Sequence, residues 1–288
     1  MVNIGFLGTG LMGCPMAERL IAAKHSVTAY NRTVEKLDPL KAVGAAIAPS
    51  PSDAIAASEF VILMLTDTKA IREVLLSEAA RSQLSDRMVI QMGTIAPEES
   101  QAIRDEVMAA GGEYIEAPVL GSVPEARSGK LIVMVGAEPA QFEKARSLLQ
   151  NFGENPILLG SVGSAATIKL ALNQLIGSLT SAFALSLGLV LRQGADVEAF
   201  MQILRQSALY APTFDKKLQR MLDRDFTNPN FPTKHLKKDM DLFLQTAQAS
   251  GLAIESLEGV QQILTQAIAQ QLSDLDYAAL FSVICPEE

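Results

Sequence analysis

In the stretch GSVGSAATIKLALN, residues 160–173, Lys169 and Asn173 stand four positions apart within an otherwise apolar run. On a helix that spacing puts both side chains on one face. A lysine is protonated at neutral pH and an asparagine both donates and accepts, so the pair could pass a proton and hydrogen bonds to a bound molecule. Burying either without a partner is costly, so the pair requires a ligand-filled cavity or a satisfied polar network between domains. The spacing alone leaves both open.

A second set of residues stands near the N-terminus. In GFLGTGLMGCPM, residues 5–16, Gly8, Gly10 and Gly13 follow the apolar run Asn3–Leu7 and precede the helical pattern Met12–Ala23. This G-x-G-x-x-G spacing is the dinucleotide fingerprint: one glycine makes the turn, one admits the pyrophosphate, and one lets helix meet strand. The phosphates would rest on the helix N-terminus. A tight strand-to-helix turn with no ligand uses the same trio, and the end of the second strand distinguishes the two. That strand ends at Tyr30-Asn31-Arg32-Thr33, about 20 residues on, where an NAD site usually sets Asp or Glu against the ribose. The carboxylate is missing. Asn31 can hydrogen-bond the ribose region without repelling a phosphate, and Arg32 offers a planar cationic fork to a 2′-phosphate, so NADP(H) is the expected cofactor. A solvated surface arginine is the other reading of Arg32.

The elements that must position these residues are legible as alternating patterns. Short apolar runs at Val2–Leu7, Ser26–Tyr30, Phe60–Leu65, Met88–Met92, Glu113–Glu116, Leu131–Val135 and Ile157–Leu159 read as strands, with helical patterns between them. Pro51, Pro97 and Pro139 fall where helices would start, and proline in a first turn sacrifices no hydrogen bond. The alternation implies a mostly parallel sheet covered by helices. From about Thr167 onward strand signals stop, and helical runs continue, interrupted by the turn-rich DFTNPNFP, Asp225–Pro232. Residues 1–162 are therefore expected to form a dinucleotide-binding α/β domain, and 163–288 an all-α domain that includes a long interdomain helix. Leu172–Leu191 is long enough to span a bilayer by the roughly 20-residue rule. It carries Asn173, Gln174, Ser178, Thr180, Ser181 and Ser186, and is expected to be a buried helix of a soluble protein.

Composition bounds the function. At 288 residues the chain suits two domains, and 49% apolar with 19% charged residues is ample material for cores. A net charge of -8 argues against a nucleic-acid partner. Cys14 and Cys285 form no disulfide framework and no metal spacing, which fits a reducing cytoplasm; the N-terminus has no basic region before its apolar run, so no export signal is expected. His25 and His235 stand apart from any carboxylate or cysteine at ligand or triad spacing, and no metal is expected. Cys14 opens the fingerprint helix, where a dipole could lower its pKa, but it reads as a variable position; the methionines read as core filler.

Four motifs resemble those of the β-hydroxyacid dehydrogenases, and the likeness runs along essentially the whole chain. GFLGTGLMGCPMAERL is similar to their cofactor segment, EAPVLGS (Glu116–Ser122) to their substrate segment, the Lys169–Asn173 stretch to their catalytic helix, and KKDMDLFL (Lys237–Leu244) to a late cofactor-proximal motif. The resemblance implies a Rossmann-type domain, a long connecting helix and a helical C-terminal domain. It implies reversible oxidation of β-hydroxyacids by a nicotinamide cofactor, in a homodimer or homotetramer. Lys169 would be the catalytic acid/base and Asn173 would orient substrate and lysine. Ser122 and Gly121 would hold the substrate carboxylate, with Leu120, Phe231 and Asp239 also facing substrate. Thr94 would lie near both nicotinamide and substrate. Gly8, Gly10, Leu11, Met12, Gly13, Asn31, Arg32, Thr33, Leu65 and Lys238 would line the cofactor. Asn31-Arg32-Thr33, Phe231 and Asp239 look most like the glyoxylate and succinic semialdehyde reductase branch, which implies NADPH-dependent reduction of short carboxylated aldehydes. A 3-hydroxyisobutyrate dehydrogenase is the nearest alternative; an imine reductase, whose members commonly lack this lysine, and a catalytically silent NADP-binding module are others. Two departures stand out: Leu120 where many members have serine, and Ala165 where glycine is frequent, a mild change provided the local φ is negative.

Overall fold

Among the described residues there are nine strands, most of them short apolar runs bounded by turn residues: β1 (Asn3–Leu7), β2 (Ser26–Tyr30), β3 (Ala46–Ile47), β4 (Phe60–Leu63), β5 (Met88–Gln91), β6 (Glu113–Glu116), β7 (Val119–Leu120), β8 (Ile132–Gly136) and β9 (Ile157–Gly160). The computed structural model describes residues 1–287. The strands form one sheet in the order β3-β2-β1-β4-β5-β6-β8-β7, with β9 beside β8. All pairings from β3 through β6 are parallel, whereas β8 runs antiparallel to β6 and β7. The order 3-2-1-4-5-6 is that of the Rossmann fold. Strands β4 and β5, FVIL and MVIQ, are buried at every position, as strands covered on both faces must be.

The connecting helices are α1 (Gly13–Ala22), α2 (Asp38–Ala42), α3 (Pro51–Ala56), α4 (Thr68–Leu75), α5 (Glu78–Arg81), α6 (Pro97–Ala109), α7 (Val123–Ser128) and α8 (Pro139–Leu149). Pro51, Pro97 and Pro139 each occupy the first position of their helix, as the sequence predicts. One face of the sheet packs Phe6, Met16, Leu20, Ile90 and Phe152; the other packs Leu7, Ile55, Leu63, Val89 and Tyr114.

The chain divides into two compact units, one ending at Lys169 and the next starting at Leu170. The division falls within α9 (Ser164–Arg192), which is followed by α10 (Val197–Gln206), α11 (Pro212–Leu222), α12 (Thr233–Ala249), α13 (Glu255–Ala269) and α14 (Leu280–Ile284). The second unit packs Phe183, Leu187, Met221, Leu236, Met240 and Phe281 into its core. A buried ion pair, Lys217 Nζ to Asp276 Oδ1 at 2.6 Å, sits in the same unit under the Tyr277 ring. Asp276 and Tyr277 also tie down the Asp225–Pro232 turn: Asp276 N donates to Phe226 O and Tyr277 N to Phe231 O.

Among the described residues α9 is the one helix long and apolar enough to cross a membrane. The expectation of a buried helix holds on one side only. Phe183, Ala184 and Leu187 are buried, but Leu185 and Leu189 are 65% and 64% exposed.

Candidate active site

The three fingerprint glycines are distinguished by what surrounds them. Gly8 adopts φ +102, and a Cβ there would collide with the Met64 carbonyl; a Cβ on Gly13 would collide with the Gly8 carbonyl. Gly10 faces open space, with no atom within 4 Å of where a Cβ would project. Two glycines thus serve the turn and the close packing of α1, and the third keeps a space clear. The first turn of α1 has no side-chain cap and no acidic residue, and its N-terminus carries partial positive charge. A dinucleotide pyrophosphate fits that arrangement, with Gly8, Gly10, Gly13 and the exposed Leu11 and half-buried Met12 around it.

Beyond β2, Asn31 is partly engaged. Its Oδ1 accepts from Thr9 N at 3.1 Å and its Nδ2 donates to Thr33 O at 2.9 Å, so it staples the fingerprint loop to the next one. One lone pair and one N–H of the amide remain for a ribose. Arg32, Thr33 and Lys36 are exposed beside it. Leu65 and Thr94 follow β4 and β5, and the Leu65 side chain lies against Gly8. The Thr94 loop is fixed by Gln91, which accepts from Gly93 N at 2.5 Å and donates to Gly93 O at 3.0 Å. Gly8, Gly10, Gly13, Asn31, Arg32, Thr33, Leu65 and Thr94 therefore gather beyond the carboxyl ends of β1, β2, β4 and β5, where open α/β sheets bind ligands.

At the end of β6 stands a residue given no role by sequence reasoning. Glu116 is 1% exposed, and its Oε1 accepts from the backbone N–H groups of Gly163, Ala165 and Ala166 at 2.8, 2.9 and 3.1 Å. Its Oε2 accepts from Ser100 Oγ at 2.5 Å, and Ser100 in turn meets the Tyr114 hydroxyl at 3.0 Å. Burial pushes the Glu116 carboxyl up, while these donors, Ser100 first, pull it down. The available signal was a carboxylate at the end of a buried strand, which needs a partner. Ala165 lies within α9, where φ is negative, so the missing glycine is harmless; the positive φ falls on Gly160 and Gly163 instead.

Residues 120–122 of the EAPVLGS stretch follow directly. Gly121 takes φ +132, and Ser122 caps α7. Ser122 N and Oγ both donate to Glu125 Oε2, at 2.8 and 2.7 Å, so that hydroxyl proton is committed to a carboxylate. Leu120 is partly exposed on β7, opposite Ile132.

On α9, Lys169 and Asn173 share a face and are 8% and 1% exposed. Asn173 Nδ2 donates to Asp239 Oδ2 at 2.6 Å, and Asp239 Oδ1 pairs with Lys238 Nζ at 2.8 Å. Asn173 Oδ1 is buried with no hydrogen-bond partner among the described residues, an acceptor that calls for one donor. Phe231 belongs to a neighbouring cluster in the same unit, stacked on His235 and edge-on to Tyr277. Burial pushes the His235 imidazole down. Among the described residues no group of three His, Cys, Asp or Glu could hold a metal ion.

Residues 3–160 match the family model for the NAD-binding domain of 6-phosphogluconate dehydrogenase, and residues 163–284 that for the NAD-binding region of NADP-dependent 3-hydroxyisobutyrate dehydrogenase. The chain is 32% identical to glyoxylate/succinic semialdehyde reductase 2 of Arabidopsis thaliana, over 98% of this chain and 79% of that one. It is also 32% identical to 2-hydroxy-3-oxopropionate reductase of Escherichia coli, over 98% and 97% of the two chains. Its fold matches the solved 3-hydroxyisobutyrate dehydrogenase of Salmonella typhimurium with a TM-score of 0.89 at 22% identity, covering 98% of this chain and 100% of that one. With matches that take in both halves, a Rossmann sheet and a fingerprint that keeps room for a dinucleotide, the chain belongs to the β-hydroxyacid dehydrogenase family and is a nicotinamide-dependent oxidoreductase.

Proposed function

We propose that this enzyme uses NADPH to reduce short carboxylated aldehydes, with succinic semialdehyde and glyoxylate as representatives, to hydroxyacids. The observation that carries the proposal is the pair of buried polar residues on one face of α9, one of them with an unpartnered acceptor. The substrate class is supported by the names of relatives at 31 to 32% identity. When bound, the nicotinamide supplies the hydride. Lys169 gives its proton to the oxygen that becomes an alkoxide, a general-acid contribution of roughly 10²- to 10⁴-fold. Asn173, held by Asp239, offers Oδ1 as acceptor to the hydroxyl of the product hydroxyacid, which is the substrate in the oxidative direction. Thr94 and the backbone around Gly121 position the carboxylated end, since the Ser122 donors are taken by Glu125, and Arg32 meets the 2′-phosphate. Oxidation of the alcohol by the same residues needs a neutral lysine, so it is favoured at alkaline pH.

The test is a panel of succinic semialdehyde, glyoxylate, 2-hydroxy-3-oxopropionate, 3-hydroxyisobutyrate and a cyclic imine, each with NADPH/NADP⁺ and NADH/NAD⁺. The proposal expects the highest kcat/KM with a carboxylated aldehyde and NADPH. Faster 3-hydroxyisobutyrate oxidation moves the assignment to that alternative, and imine turnover moves it to an imine reductase. NADPH binding with no turnover of any compound means a silent binding module. We also propose a homodimer or homotetramer, because Leu175, Leu179, Leu185 and Leu189 stand exposed along α9. Light scattering that returns a monomer removes this part.

A further inference from the structure

Glu116 spends its whole carboxylate on two elements. Oε1 collects three backbone N–H groups where the chain turns from β9 into α9, and Oε2 is held by Ser100 of α6. Tyr114, two residues earlier on β6, completes the chain of hydroxyls. Space for the carboxylate is kept by Gly136 on the adjoining β8, where a Cβ would drive into Glu116. Glu116 also stands immediately before Ala117-Pro118, which lead into Leu120–Ser122. A single buried anion therefore joins the start of the substrate segment to the first turn of the helix that carries Lys169. Lys169 follows Ala166 by three residues, about 4.5 Å along the helix axis.

We propose that Glu116 is a positioning residue, whose carboxylate fixes the first turn of α9 against β6 and so sets the placement of Lys169 beside the substrate segment. A helix begun at three N–H groups on one oxygen has little freedom to slide or tilt at that end. The anion also offsets the positive end of the α9 dipole, whose field Lys169 would otherwise feel. Replacing the carboxylate by an amide keeps an acceptor for the N–H groups and removes the charge. The protonated lysine then loses a favourable neighbour.

This inference rests on Lys169 as the proton donor, so its experiment separates the two. Glu116→Gln, Glu116→Asp and Lys169→Ala are made in the full chain. Hydrogen exchange is followed over residues 161–170, NADPH binding by fluorescence, and kcat for succinic semialdehyde reduction against pH. Glu116→Gln is expected to bind NADPH within about twofold of the parent, to exchange the first-turn amides about tenfold faster, and to lower kcat about tenfold. The alkaline limb of its kcat profile moves to lower pH by about half a unit, the size expected from a charge on the order of 10 Å away in a partly hydrated site. Unchanged exchange overturns the hold on α9. Faster exchange with an unmoved limb and parental kcat, while Lys169→Ala is inactive, overturns the positioning role. Near-parental turnover by Lys169→Ala overturns the proton-donor reading, whatever Glu116→Gln does. If the glutamine variant fails to fold, Glu116→Asp decides: it keeps the charge and shortens the reach, and parental exchange with parental kcat overturns the proposal.

Discussion

Asn173 Nδ2 donates to Asp239 Oδ2 at 2.6 Å, a contact between two buried side chains 66 residues apart in sequence. The contact fixes the orientation of the amide. An ionised carboxylate only accepts, so the NH₂ group must face Asp239, and Oδ1 is left as the acceptor. A lone asparagine on an apolar helix would have two equivalent settings; this one has one.

Asp239→Asn should therefore lower kcat by about ten- to a hundredfold, because a misplaced positioning group costs up to about 10²-fold, with NADPH binding little changed. The replacement keeps shape and gives up the charged acceptor. Steady-state kinetics together with fluorescence titration checks it. A kcat within twofold of the parent means that Asn173 does not need the carboxylate.

Arg32→Ala should weaken NADPH by roughly ten- to a hundredfold and spare NADH, since a charge-assisted contact is worth about 1.5–3 kcal/mol. Arg32 is exposed and Asn31 beside it is already tied to Thr9 and Thr33, so the exposed cations Arg32 and Lys36 are placed to meet a 2′-phosphate, and the planar fork of Arg32 suits it better. Dissociation constants for both cofactors decide. A parent enzyme that prefers NADH disposes of the assignment before any variant is made.

The sheet was legible because buried parallel strands read as continuous apolar runs between turn residues, and the helix starts because proline marks them. Strands β3 and β7 were not, since two residues show no alternation. Of the candidate site, the glycine spacing and the Lys169–Asn173 face could be read from local chemistry. Asp239 as the partner of Asn173 could be named as a site residue but not paired, because the bond joins α9 to α12 across 66 residues. Glu116 escaped for the same reason. Three of its four partners are backbone N–H groups 47 to 50 positions away, and a backbone donor leaves no trace in residue type.

Stability should respond to pH through Glu116. Burial, the largest influence, holds its carboxyl above the usual range, so the folded protein binds this proton more tightly than the unfolded chain. Its contribution is then fully present below the unfolded carboxyl pKa of about 4.3 and is lost as pH rises through the folded value. At neutral pH the charge costs stability, and Glu116→Gln should equal or exceed the parent in Tm. The Tm difference between variant and parent should grow in the variant's favour from about pH 4 to about pH 7. A difference that moves the other way means that the N–H donors outweigh burial.

The proposed substrate class can be tested at Ser122 and its neighbours. Ser122 Oγ and N both point at Glu125 Oε2, so this serine has no proton to offer a substrate carboxylate, and a partly buried negative charge stands beside it. Leu120, partly exposed on β7, supplies no hydrogen bond either. A carboxylated aldehyde should therefore bind weakly in the parent and gain from a hydroxyl at 120. Leu120→Ser is expected to lower KM for succinic semialdehyde about tenfold, as a hydrogen bond to a charged group worth about 1.5–3 kcal/mol would, with a smaller change in kcat because the contact is largely uniform binding. Measuring KM and Tm together separates binding from packing. If Leu120→Ser leaves KM unchanged and lowers Tm, Leu120 serves the packing of β7 against β8, and the carboxylate is held from elsewhere.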